Sequence, residues 1–510
     1  MTASAAAAGD GRISSISPRQ WLVLVAIQLS TLLFGMAITL ANVVLPQIKG
    51  TLSATQEEIA WVVTANLVAV AVGTPVTGWL AQRVGWRNLL FASVSGFTVC
   101  SLGCGMAGSL EALVGWRIGQ GLFGAPIQPM AQAVLLATFS RALQPLVMML
   151  WGLGSVFGPV LGPILGSVIA ESWGWRMAFF ALIPPGLAAM ACIWFALREH
   201  TTRGTTALDW TGFIALSLVM SSAQLIMDRG QRLDWFDSLE IQIEALVLVV
   251  SLWVFVAHSM TAKKPLLDPT LLRDRNFACG LVVCLIMGML SFTALVLFPS
   301  LLHDLKGYPD SLIGVVLTAR GVGNWCSFLI VVPFTKYRPR LAIITGLAAQ
   351  AIAGVWMAQL DLNMTPRDVF MTNMLQGFGF GLAFTPMAVL TFATLPTSRA
   401  AEGTAVFNAL RNFGSSVFIS ATVIVLVRAT ASNYAMLSEN VSLYNRALAF
   451  PGVLGMWNLE SASGLAVVAN EVQRQAAMNG YIIAFYMFAA CAAAGIPLTM
   501  MMRQPKRSTA

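Results

Sequence analysis

Residues 154–166 read GSVFGPVLGPILG, inside a stretch from 146 to 170 that carries no charged residue. Gly154, Gly158, Gly162 and Gly166 are spaced by four. At 100° per residue they fall on one helical face, which is bare of side chains for three turns. A second helix can approach such a face closely. Pro159 and Pro163 each remove a backbone donor and bend the helix. A smooth, bent seam suits a surface on which helices rock, and ordinary tight packing would use the same residues.

The runs on either side set the solvent. The 510 residues are 57% hydrophobic and only 10% charged, where a soluble chain carries about 25% charge. The apolar residues are gathered into runs near 21–43, 57–78, 88–108, 111–135, 146–170, 176–197, 209–227, 240–260, 276–301, 311–332, 338–360, 367–391, 403–428 and 480–501. Most reach the roughly 20 residues that cross a bilayer core of about 30 Å. The fold class expected is therefore an all-α membrane protein with fourteen spans. The polar residues ahead of the first run contain no small-residue cleavage pattern, which reads as an uncleaved first span.

The net charge of +8 sits in short loops, a mark of membrane topology and not of nucleic-acid binding. With the N-terminus inside, the inner segments hold Arg83, Arg87, Arg141, Arg198, Arg203, Lys263, Lys264, Arg273, Arg275, Lys336, Arg338, Arg340 and Arg399. The terminal segments add Arg12, Arg19, Arg503, Lys506 and Arg507. The outer segments hold fewer, among them Lys49, Arg229, Arg232, Lys306, Arg446 and Arg474. Positive charge on the inside places both termini in the cytoplasm, which requires an even number of spans. The longest polar stretch, 429–479, lies outside, and its end from Leu459 to Asn479 has helical spacing. A solvated loop and a cap over the outer mouth both fit it.

Seven scattered cysteines, Cys100 and Cys104 among them, and three distant histidines make no metal-ligand or nucleophile pattern, so neither a metal nor an enzyme is expected. The chemistry lies in polar groups placed within apolar runs. Arg117, Arg320 and Arg411 have no short route to a loop, and a charge at mid-span is costly, so each should face the bundle interior or a wet cavity. Arg117, Gln120, Gln128 and Gln132 share about a third of one helix circle. Asn408, Arg411, Asn412 and Ser415 follow helical spacing, and Arg320 and Asn324 are one turn apart. In the first run Gln28, Gly35, Thr39 and Asn42 share a face; in the twelfth, Asn373, Gln376 and Gly377 are joined by Phe380 and Phe384. Several polar faces mixed with aromatics suit a cavity for an amphipathic solute. Hydrogen bonds that tie helices together are the alternative.

At these residues the chain resembles the major facilitator superfamily, in particular its fourteen-span drug:proton antiporters. GWLAQRVGWRNLL at 78–90 resembles the family's inner gating loop, with Gly78, Arg83, Gly85 and Arg87 in register. RIGQGLFGA from Arg117 is similar to the motif whose arginine is linked to proton transfer, and 154–166 to the glycine–proline antiporter motif associated with export. NVVLP at 42–46, WGWRMAFF at 173–180, LDW at 208–210 and NALRNFGSS at 408–416 also fit.

The resemblance implies two six-helix bundles, 21–200 and 266–501, with two extra transmembrane helices in 201–265, a cytoplasmic tail at each end (1–20 and 502–510) and a periplasmic loop at 429–479. It implies no cofactor, an inner-membrane location, and export of drugs or other amphipathic small molecules in exchange for protons. It also implies, for relatives in Gram-negative bacteria, a periplasmic adaptor and an outer-membrane channel. Two departures stand out. Gln82 occupies the gating-loop position where the family commonly has aspartate, and Ala37 the first-span position where many drug exporters of this branch carry an acid. No carboxylate lies securely at mid-membrane in the runs, so the proton carrier is not identified. The missing acid weakens recognition of cations and leaves room for a dedicated metabolite, such as a fatty acid or siderophore. A non-transporting receptor would need a soluble signalling domain, which the runs do not accommodate.

Overall fold

The computed structural model describes residues 16–140, 142–197, 208–262, 265–396, 399–442 and 461–502. Arg12, Arg141, Arg198, Arg203, Lys263, Lys264, Arg446, Arg503, Lys506 and Arg507 of the charge pattern lie outside these residues. The described residues contain no strand. In chain order the helices are α1 (Pro18–Leu52), α2 (Gln56–Val84), α3 (Trp86–Met106), α4 (Leu110–Gly124), α5 (Ile127–Thr138), α6 (Gln144–Trp173), α7 (Trp175–Phe180), α8 (Ile183–Ala196), α9 (Trp210–Arg229) and α10 (Leu239–Thr261). They continue as α11 (Arg275–Ser300), α12 (Asp310–Tyr337), α13 (Pro339–Ala358), α14 (Pro366–Phe392), α15 (Ala400–Ser438) and α16 (Ala462–Met500).

Twelve helical segments are long and apolar enough to cross a membrane, and α12, bent by 50° between Ser327 and Ile330, makes a thirteenth. The remaining run, expected as one span at 111–135, is divided between α4 and α5 at Ala125–Pro126, so neither piece is long enough alone. Proline at that point cannot donate into the preceding turn.

Local chemistry sets the boundaries. Ser17 with Gln20, and Thr55 with Glu58, form capping boxes at the starts of α1 and α2. Gly85 (φ 90°) and Gly174 (φ 86°) each separate two helices at the repeated triplet Gly-Trp-Arg, in a backbone conformation open to glycine. α6 runs unbroken through Pro159 and Pro163.

Helices α1–α8 pack on one another, and so do α11–α16. The two groups meet where α6 touches α12 and α14, and where α15 touches α2 and α5. α9 packs against α10, α2 and α15. Thr64 donates to Asp228, and Ser416 to Gln224 at 2.9 Å, so α9 bonds to both groups. Loop contacts define two faces. On the N-terminal face Arg19 Nε donates to the Ala196 carbonyl (2.8 Å) and Arg87 to that of Trp194 (3.1 Å). On the far face Trp175 Nε1 donates to Thr51 (2.9 Å) and Lys306 to the Leu362 carbonyl (2.7 Å).

Little of the described part of 429–479 is an open loop. α15 continues to Ser438 and α16 starts at Ala462. At 1.5 Å per residue each 39-residue helix is about 58 Å long, well beyond a bilayer core of about 30 Å. The projecting ends form a hairpin in which Asn479 donates to Asn433 (3.4 Å).

Candidate functional site

The glycine face of α6 meets α1. A Cβ on Gly158 would fall 2.8 Å from the Leu32 carbonyl oxygen and 3.0 Å from Gly35 Cα, and one on Gly154 2.6 Å from Gln28. Gly162 abuts Thr39 and Gly166 abuts Leu40. Gln28 Nε2 donates to the Leu150 carbonyl at 2.8 Å. The glycine seam thus lies between two helices of one group, α1 and α6. The polar face of α1 at Gln28, Gly35 and Thr39 packs on α6, while Asn42 is exposed toward the far end of α1. Where α6 touches the other group it uses bulky side chains: Trp151 stacks on Phe384 (centroids 5.9 Å apart) and Phe157 meets Trp325 edge-on (6.4 Å). Trp151 carries no polar mark within its run, and sequence reasoning missed it.

The three arginines do not converge on one point. Arg117, 1% exposed, donates from Nε to the Val62 carbonyl (2.9 Å) and from Nη1 to Gln120 Oε1 (2.5 Å). Nη1 also points at the Ala37 carbonyl (3.5 Å), and Gln120 donates on to Ser101 (2.7 Å). The Arg117 guanidinium thus links α1, α2 and α4, and Gln120 extends the network to α3.

Arg320 and Arg411 lie in the second group around a stacked pair, Phe380 and Phe384, whose centroids are 5.3 Å apart at 11°. The Arg320 guanidinium lies 5.3 Å from the Phe380 centroid, and that of Arg411 5.8 Å from the Phe384 centroid. Asn324 is packed against Gly381, a helix–helix contact, and Asn412 is half-buried, its carbonyl accepting from Ser416.

The groups are bonded to one another on the α5–α15 side. Asn408 Nδ2 donates to Gln132 Oε1 at 3.0 Å, both side chains fully buried. Around this contact Gln128 Oε1, Gln132 Nε2 and Asn408 Oδ1 are buried without partners. Such atoms are uncommon in folded proteins and concentrate at sites that change or bind.

Of the gating-loop residues Gly78 meets the other group at close range. A Cβ there would come within 3.0 Å of Glu402 Cα. Arg83 lies over Trp79 of its own helix, and Arg87 over Trp194 of α8. Beside Gly78 opens a cavity of about 740 Å³ lined by Trp79, Gln82, Asp209, Met260, Leu266, Asp268, Arg399 and Glu402, among others. It sits at the N-terminal face, away from the Phe380–Phe384 layer.

Residues 265–274, ahead of α11, are stapled across this cavity. The Leu266 amide donates to Asp209 (3.0 Å), the Asp268 amide to Glu402 (2.9 Å), and Arg399 pairs with Asp268 (2.5 Å). Burial pushes both aspartates up, but the amides of Gly212 and Leu266 with His258 for Asp209, and Thr270 with Arg399 for Asp268, outweigh it. Both therefore titrate below the ordinary aspartate value of 3.8. A depressed pKa gives stability that is present above the unfolded value and lost as pH falls through the folded one, so the contacts made by the Asp209 and Asp268 carboxylates persist at mildly acid pH.

The family model of the Major Facilitator Superfamily matches residues 27–419. The chain belongs to the major facilitator superfamily. Within the superfamily it is 30% identical over 431 residues to the multidrug export protein EmrB of Escherichia coli K12, covering 83% of each chain. It is also 30% identical to the fatty acid resistance protein FarB of Neisseria gonorrhoeae, over 89% of this chain and 90% of that one. Among solved structures, a double-tryptophan mutant of XylE superposes with a TM-score of 0.63 at 13% identity, covering 96% of this chain and 97% of that one. The human organic anion transporter MFSD10 superposes at 0.60 and 12%, covering 95% and 100%. At those identities the structures speak for the fold alone. The chain is thus a multi-pass membrane protein with the fold of a transporter superfamily.

Proposed function

We propose that the chain is a secondary active exporter of drugs and other amphipathic small molecules, exchanging them for protons by alternating access across the inner membrane. The observation that carries this reading is the buried layer where the two helix groups meet: Trp151 on Phe384, Gln132 bonded to Asn408, and unpartnered amides beside them. A permanent interface would satisfy those groups; one that parts during a transport cycle exposes them to water and solute. The names of EmrB and FarB, proteins of export and resistance, support the same conclusion.

On this reading α1–α8 and α11–α16 are the two moving halves, with α9–α10 as the inserted pair. The N-terminal face is cytoplasmic and closed by Gly78 against Glu402. The projecting α15–α16 hairpin is the surface turned toward a periplasmic adaptor. In an efflux-deficient host, expression should lower accumulation of amphipathic dyes, and collapse of the pH gradient should restore it. Unchanged accumulation of every compound, with the protein verified in the membrane, would sink the reading.

Proton coupling is assigned to Glu402. It is half-buried, it lies at the contact between α2 and α15, and one oxygen accepts the Asp268 amide that closes the staple. Protonation weakens that acceptor and frees the gate. Glu402→Gln should therefore abolish transport driven by a pH gradient while leaving dye exchange at equal pH. Gradient-driven transport at the wild-type rate in this variant would remove Glu402 from the mechanism.

A further inference from the structure

The arginines beside the stacked phenylalanines lack a counter-charge. Arg320 is 3% exposed, and its Nε and Nη1 have no hydrogen-bond partner. The Arg411 side chain makes no hydrogen bond or ion pair among the described residues and lies over the Phe384 ring. The ion pairs that the described residues do form, Arg229–Glu240, His258–Asp209, His303–Asp304, Arg399–Asp268 and Arg474–Glu471, all lie elsewhere, toward helix ends and loops. A ring face attracts a cation but does not replace a carboxylate for a buried guanidinium. Two like charges around one aromatic pair add repulsion to that deficit. An anion relieves both.

We propose that this layer binds an anionic amphiphile, its carboxylate or sulfonate held by Arg320 and Arg411 and its apolar body lying on Phe380, Phe384 and Trp151. The guanidinium is suited to this work, because its planar fork donates two parallel hydrogen bonds to a carboxylate. Phe380, Phe384 and Trp151 are buried where the two groups meet and offer their faces to a solute when that contact parts; Trp151 comes from the other helix group, so a bound solute touches both groups at once. The inference rests on the export reading and narrows it to one charge class.

Two probes with the same dansyl reporter separate the possibilities. Dansyl-undecanoate is an anionic amphiphile and dansylcadaverine a cation. With purified protein the anion should bind saturably and the cation weakly. Arg320→Gln and Arg411→Gln should each weaken the anion about tenfold or more, the loss expected for a charged hydrogen bond. Arg320→Lys should recover part of it. The same glutamine variants should bind the cation more tightly than wild type does, a gain that a misfolded protein cannot show. Equal affinity for both probes in the wild type, or unchanged anion binding in both glutamine variants, overturns the proposal. Displacement of the probe by phosphatidylglycerol but not by dodecanoate assigns the site to a lipid headgroup and overturns the substrate assignment. Transport in proteoliposomes is read separately. Anion binding with no gradient-driven transport of either probe would refute export and keep the site. Cation transport that ignores both arginines would keep export and refute the site.

Discussion

Gly158→Leu is expected to abolish transport and to lower the thermal stability of the detergent-solubilised protein. Even a methyl group there would sit 2.8 Å from the Leu32 carbonyl oxygen, 3.0 Å from Gly35 Cα and 3.2 Å from the Met36 nitrogen. All three are backbone atoms of α1, so no side chain can rotate away. The neighbouring contacts prevent a simple shift along the seam: Gly154 rests on Gln28, Gly162 on Thr39 and the Met36 carbonyl, and Pro159 on Gly35. Relief requires α1 and α6 to separate over three turns.

Overpacking a core typically costs about 1–3 kcal/mol, and a collision with backbone falls at or above the top of that range. Since α6 also carries Trp151 and Phe157 to the second helix group, separation moves those contacts as well. Gly115→Leu is the matched control: a Cβ at Gly115 meets nothing within 4 Å, so stability and transport should stay near wild type. Wild-type transport in Gly158→Leu would show that the α1–α6 joint yields.

The same glycines show what a sequence can and cannot give. Spacing by four specified a bare helix face and required a close partner. It could not say that the partner is α1 in the same group, because periodicity describes one helix at a time. The arginines behaved alike. Their place inside apolar runs marked Arg117, Arg320 and Arg411 as facing the interior; Arg117 and Arg320 are buried and Arg411 is half-buried. Their division into a bonded group around Arg117 and an uncompensated pair around Phe380 and Phe384 depends on distances between helices.

In 429–479 the helical spacing from Leu459 to Asn479 anticipated the start of α16, but composition marks where a helix leaves an apolar run and not where it ends, so the extension of α15 to Ser438 was not foreseen. α15 and α16 simply continue into water. The staple at the N-terminal face was out of reach: Arg399 and Asp268 are 131 residues apart, and nothing in either segment names the other. Gly78 approaches the Glu402 backbone closely, and the lack of a side chain that permits this is a local feature of the sequence. Arg83 and Arg87 shared its motif, yet each rests on a tryptophan of the first group.

Arg117→Ala is expected to eliminate gradient-driven efflux while the protein still reaches the membrane in normal amount. The guanidinium links the carbonyls of Val62 and Ala37 to Gln120, and Asn66 closes the loop by donating to the Arg117 carbonyl at 2.8 Å. Each lost buried hydrogen bond to a charged group is worth roughly 1.5–3 kcal/mol. Against a total stability of about 5–15 kcal/mol the fold survives, and removal of a buried charge offsets part of the loss. Transport is less forgiving, because α1, α2 and α4 must move as one body if the halves are to rock, and this side chain registers them.

Arg117→Lys tests whether charge or shape is required. A lysine keeps the charge but lacks the fork that reaches Val62 and Gln120 in different directions. It should restore little activity, with Gln120 still able to donate to Ser101. Efflux rates in everted vesicles, normalised to membrane abundance by immunoblot, give the comparison. Near-wild-type efflux in the alanine variant would mean that Arg117 only fills space, and full rescue by lysine would mean that its charge alone matters.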